Sequence, residues 1–139
     1  MESLDRIETL TAQAKPLWGK MTTAQMFAHC AEVVEVANGK ELKNTPFLVK
    51  LFKGFVRNMV VNEKPYPKNT KTHPQYRQMV DRDFESEKKR LLAALEKFVK
   101  TDQNDAGKTK HPLFGEMSPE EKGWAIYKHL DHHLNQFGV

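Results

Sequence analysis

The chain is predicted to be all-α, a four-helix bundle with an additional short amphipathic helix in a long connection. Apolar residues recur at helical spacing in five stretches, and capping residues, proline or glycine bound them. No stretch alternates apolar and polar residues as a half-buried strand would. With 139 residues and 39% hydrophobic content, the chain can bury one core as a single domain spanning 1–139.

The first helix is expected from about Ser3, its N-cap, to Lys15, with Ile7, Leu10 and Ala14 as a narrow stripe that Pro16 ends. A second begins after Thr22, where Thr22-Thr23-Ala24-Gln25 fits a capping box, and stops at Asn38-Gly39. Met26, Cys30, Val33, Val34 and Ala37 line its expected buried face. Pro46 to Val61 has helical apolar spacing at Leu48, Leu51, Phe52, Phe55, Val56 and Met59. Asn62 to Pro74 holds three prolines and reads as an irregular loop. A long helix follows from about Asp83 to Thr101, with Phe84, Leu91, Leu92, Leu95, Phe98 and Val99 inward, and Asp102 to Lys110 reads as a polar linker. The last helix opens at Ser118-Pro119-Glu120-Glu121, where serine caps, proline takes the first position and Glu121 closes the box.

Charge narrows the function classes. The formal net charge is +4, but the basic residues are scattered among 18 acidic ones, unlike the concentrated basic face of a nucleic-acid binder. One cysteine, Cys30, forms no internal bridge, and no N-terminal apolar signal region is evident, so a reducing cytoplasmic location is expected. No apolar run reaches the length of a membrane span. Phe47 to Val61 carries Lys50, Lys53 and Arg57 among bulky apolar residues. Packing across the bundle or burial in a homodimer is its expected use, ahead of a membrane surface.

Three of the six histidines fall within five residues, His129, His132 and His133. His129 and His133 are i and i+4, so their rings share one helical face, on the shoulder of an apolar arc of Ile126, Leu130, Leu134 and Phe137. Gln136 continues their column, whereas His132 lies farther round among polar positions. His29 occupies the same kind of shoulder on the second helix, so His29, His129 and His133 can converge. Neutral imidazole suits divalent zinc, nickel, iron or copper. Three such ligands leave a coordination position at which water or a thiol becomes a nucleophile near neutral pH. Asp131, Glu32 and Gln136 are candidates to orient the rings. Leu130 stands where a His-Glu-x-x-His protease would need its glutamate. Cys30 is expected in the core, Trp18 and Trp124 as packing anchors, and His111 and Phe114 in an entry turn; His73 is given no role.

Trp18-Gly19-Lys20-Met21-Thr22-Thr23-Ala24-Gln25-Met26-Phe27-Ala28-His29-Cys30, His111-Pro112-Leu113-Phe114-Gly115, and the block from Tyr127 to Gly138 together resemble the DUF1569 family of the DinB/YfiT-like superfamily. The resemblance implies a DinB-type bundle and a metal held by His29, His129 and His133. Superfamily relatives include transferases and isomerases that use low-molecular-weight thiols, and proteins named for damage induction. Two functions follow as expectations. One is a metal-dependent transferase or hydrolase acting on a small molecule. The other is a noncatalytic bundle in stress response or binding, with a structural or adventitious metal. A metal-free acid/base enzyme using His132 and Asp131 ranks below both.

Overall fold

Six α-helices and one 3-10 turn, Pro74–Tyr76, are present in the computed structural model of the protein, which describes residues 2–105 and 110–139. Among the described residues the only bridge is an isolated one between His111 and Gly115. The helices are α1 (Glu2–Thr9), α2 (Thr23–Ala37), α3 (Phe47–Leu51), α4 (Lys53–Val61), α5 (Phe84–Asp105) and α6 (Pro119–Gln136).

The two helices that carry the histidines begin where their caps direct. Thr22 and Ser118 each accept a hydrogen bond from the backbone of the third helical residue, and the Gln25 and Glu121 side chains in turn accept one from the cap backbone N–H, so both capping boxes are closed. Gly39, at φ +110°, ends α2 with paired reverse bonds, Gly39 N to Val36 O at 3.0 Å and Lys40 N to Glu35 O at 3.0 Å.

Elsewhere the boundaries move. α1 stops at Thr9, well short of Lys15, and Ser3 lies inside it. The Thr9 hydroxyl takes the Arg6 carbonyl at 2.7 Å, and Leu10 N tightens onto Ile7 O at 3.2 Å, which closes the helix early. The Pro46–Val61 stretch is two helices, broken at Phe52. α5 runs on to Asp105, into the stretch expected to be linker. No glycine or proline intervenes there, and each further residue adds a hydrogen bond. The rest of that expected linker, 106–109, lies outside the described residues.

α2 packs along α5, and α6 lies against α1, α2 and α4. Ile7, Leu10, Met26, Phe27, Cys30, Leu91, Leu130, Leu134 and Phe137 meet in one core. Val99 is exposed, contrary to its expected inward placement. A polar seam accompanies the apolar one: Arg90 of α5 bonds Glu32 and Glu35 of α2, the latter at 2.7 Å, and Lys40 reaches Glu32 at 2.8 Å. Arg6 ties α1 to the end of α6 through Asp131 at 2.7 Å and Val139 O at 2.8 Å.

The α3–α4 segment does not pack across the core. Neither helix has a buried residue, and Phe47 and Phe55 are each 74% exposed. α4 is held to α6 by Arg57 and Glu121 at 2.6 Å and by Lys128, which donates to Met59 O and Asn62 O. Among the described residues no helix is long and apolar enough to cross a membrane.

Candidate metal centre

Near its middle, α2 turns His29 toward α6, and α6 turns His129 and His133 back toward it. One ligand atom from each ring lies within 4.8 Å of the others. His29 and His133 are buried and His129 is half-buried. The ring centroids are 4.7 to 4.8 Å apart, a triangle of imidazoles with no carboxylate in it.

Hydrogen bonds fix two of the tautomers. The carbonyl of Tyr76 can only accept, so His29, 2.9 Å away through Nδ1, donates there and presents a bare Nε2. On the other side Gln136 Nε2 donates to Trp18 O at 2.8 Å. That leaves its Oε1 to accept from His133 Nδ1 at 2.8 Å. His133 therefore also presents Nε2. His29 Nε2 and His129 Nε2 face each other at 2.9 Å. Two lone pairs cannot do so alone; a proton or a cation has to lie between them.

Burial sets the protonation. It pushes His129 well below the ordinary imidazole range, with His133, His29 and His132 adding to the effect. It pushes His133 down to about 3, with His29 contributing. His29 is lowered by burial too, although its bond to Tyr76 works the other way. All three rings are thus neutral at physiological pH, the form that coordinates a metal. A tetrahedral ion with bonds of about 2.0–2.1 Å holds its ligands about 3.4 Å apart. His29 Nε2 and His129 Nε2 are 2.9 Å apart and all three ligand atoms lie within 4.8 Å of one another, a range that brackets this spacing, so the donor set fits a divalent transition metal.

The Trp18–Gly19 segment is shaped around Gln136. Leu17 N donates to Gln136 O at 2.7 Å, and a Cβ on Gly19, at φ +81°, would fall 2.7 Å from Gln136 Nε2. A side chain there would push the amide off His133.

Of the expected orienting residues, Gln136 reaches a ligand ring. Asp131 instead pairs with Arg6, and Glu32 with Arg90, Lys40 and Gln75. The Tyr76 carbonyl is an orienting group that residue types do not reveal. Its one sequence signal is His73-Pro74, which caps and opens the 3-10 turn, with His73 Nδ1 accepting from Gln75 N at 3.0 Å. His73, given no role from the sequence, thus has a structural one.

His132 is half-buried, and its expected polar neighbours are replaced by aromatic ones: Trp18 at 5.8 Å, Tyr66 at 5.6 Å and His133 at 5.1 Å. Lys68 Nζ sits 4.5 Å over the Trp18 ring. Trp124 lies near the surface, 36% exposed, and donates to Asn62 O at 3.0 Å. His111 stacks on Phe114 at 4.7 Å in the turn before α6. Cys30 is buried against Met26, and burial pushes its thiol far up, so it offers no thiolate.

Fold and site define an all-α protein with a buried three-histidine cluster able to hold a metal ion. The chain belongs to DUF1569, a family described as a protein of unknown function, whose model matches residues 1–138. No curated protein and no solved structure matches the chain.

Proposed function

We propose that this is a metal-dependent enzyme of transferase or hydrolase type, in which His29, His129 and His133 hold one divalent ion (zinc, nickel or iron) and a small-molecule electrophile is attacked by water or a low-molecular-weight thiol. The observation that carries it is the meeting of His29 Nε2 and His129 Nε2 at 2.9 Å while His29 and His133 commit their Nδ1 protons elsewhere. When bound, the ion supplies a Lewis acid that makes water or thiol nucleophilic near neutral pH. The residues of the chain do the rest. Burial keeps the rings neutral, Tyr76 O and Gln136 aim two of them, and the buried thiol of Cys30 stays out of the chemistry.

Placement in the DinB/YfiT-like superfamily is supported by the helical architecture and by one histidine on α2 set against a His-x-x-x-His pair on α6. A cytoplasmic setting, with a small molecule as partner and neither nucleic acid nor membrane, belongs to the same reading. The exposed Phe47, Leu48, Leu51, Phe52 and Phe55 suit a homodimer interface.

The test uses purified protein stripped of metal and reloaded with zinc, nickel or ferrous iron, offered thiols with a chromogenic electrophile and, separately, activated esters. Turnover in a loaded form, absent from the stripped protein and from loaded His29→Ala, supports the enzyme. Bound metal without turnover in either assay supports the noncatalytic bundle.

A further inference from the structure

We infer that Gln75 is a positioning residue of the metal centre, holding the 3-10 turn on α2 so that the Tyr76 carbonyl keeps His29 in its Nδ1–H form with Nε2 aimed at His129 and His133. Its functional consequence rests on the metal site proposed above, and its geometry on hydrogen bonds alone.

His29 and Glu32 are i and i+3 on α2, so they share a face. The turn lies across that face with two attachments: Tyr76 O accepts from His29 Nδ1 at 2.9 Å, and Gln75 Nε2 donates to Glu32 Oε1 at 2.9 Å. One contact would leave the turn free to rotate. Two contacts on one helix face set its position and its angle.

A three-residue turn has little stability of its own. The Gln75 side chain supplies what it lacks, with its Nε2 also donating to Glu41 O at 3.0 Å and its Oε1 accepting from Lys43 N at 2.7 Å. His73 braces the start of the turn, its Nε2 3.0 Å from the Thr45 hydroxyl. Glu32 is itself immobilised. Burial disfavours its charge, but hydrogen bonds from Lys40, Gln75 and Arg90 outweigh that and hold its carboxyl below the usual range. Polar contacts therefore run from Arg90 on α5 through Glu32 to Gln75, and the backbone of the turn carries the connection on to the Tyr76 carbonyl and His29. Both Glu32 and Gln75 also line an open depression of about 490 Å³, so replacing Gln75 leaves no void in the core.

Two variants separate positioning from bulk stability. Gln75→Ala removes the anchor of the turn. Glu32→Gln keeps an oxygen for Gln75 but removes the charge that Arg90 and Lys40 pair with. Zinc affinity is measured by competition with a chromophoric chelator, stability by thermal melting, and the His29 ring form by nitrogen-15 NMR of the metal-free protein. Gln75→Ala is expected to weaken zinc about 10- to 100-fold, the usual cost of losing an orienting partner. It should scramble the His29 ring signals while leaving the melting temperature nearly unchanged. Glu32→Gln is expected to lower the melting temperature with zinc affinity within about threefold of wild type, less than the loss of an orienting partner. Gln75→Met, of similar volume, repeats the test if the alanine variant fails to fold. Wild-type zinc affinity and ring signals in the Gln75 variants would overturn the assignment, as would parallel loss of zinc affinity and stability in both. If wild-type protein binds no zinc, the proposed function fails, and the ring signals of the metal-free protein still decide the role of Gln75.

Discussion

Helix α2 carries two polar seams, and they close their charge in opposite ways. Toward α5, Glu32 and Glu35 meet Arg90 and Lys40, so anions and cations are both present and the seam is complete within the chain. Toward α6, His29 meets His129 and His133, three rings that burial keeps neutral and whose free nitrogens converge. The first seam joins helices. The second joins its rings through one imidazole–imidazole contact, His29 Nε2 to His129 Nε2, and supplies no positive centre, an arrangement with a clear use for a metal. Burial of polar groups on one helix thus serves cohesion on one side and readiness to bind on the other.

Breaking the ion seam should produce the largest effect on stability and the least on metal. Arg90→Ala leaves Glu35 without its main partner and takes one cation from Glu32, and a loss of about 3 kcal/mol is expected, read by urea unfolding. Zinc affinity should stay within about threefold, below the cost of a lost orienting partner, because Lys40 and Gln75 still hold Glu32. A collapse of zinc affinity with unchanged stability would reverse the roles assigned to the seams.

Acid should separate the seams by pH window. The three histidines have folded values below the ordinary 6.5, so the unfolded chain takes up protons first, and stability falls as pH drops below about 6.5 toward their folded values. For His133, at about 3 in the fold, the loss by pH 5 is about 2 kcal/mol. Glu32 and Glu35, held below 4.5, contribute stability that is lost only as pH falls below about 4.5. Melting of metal-free protein between pH 7.5 and 5 should therefore decline in wild type and decline less steeply in His133→Ala, where His29 and His129 remain. Equal slopes would mean that His133 is not held neutral in the fold.

The same contrast explains what the sequence makes legible. Capping boxes are local, so the starts of α2 and α6 can be read from Thr22 and Ser118. Periodicity is local too, and it places His129 and His133 on one shoulder with Gln136 beyond them. Long-range competition is not local. Asp131 and Glu32 could face a ring nitrogen on spacing alone, but Arg6 and Arg90 arrive from other helices and take them. The Tyr76 carbonyl carries no residue signature, since any residue in that turn would present the same group. The α1 stop turns on one hydroxyl choosing the Arg6 carbonyl, and the break at Phe52 divides a stretch whose apolar spacing reads as one helix.

The most direct test of the three-histidine seam is elemental analysis of untagged protein purified without nickel, beside a variant with His29, His129 and His133 all replaced by alanine. About one transition-metal ion per wild-type chain, absent from a variant with an unchanged circular dichroism spectrum, is the expected result. Metal retained by the folded variant, or none in wild type even after incubation with zinc, would contradict the account.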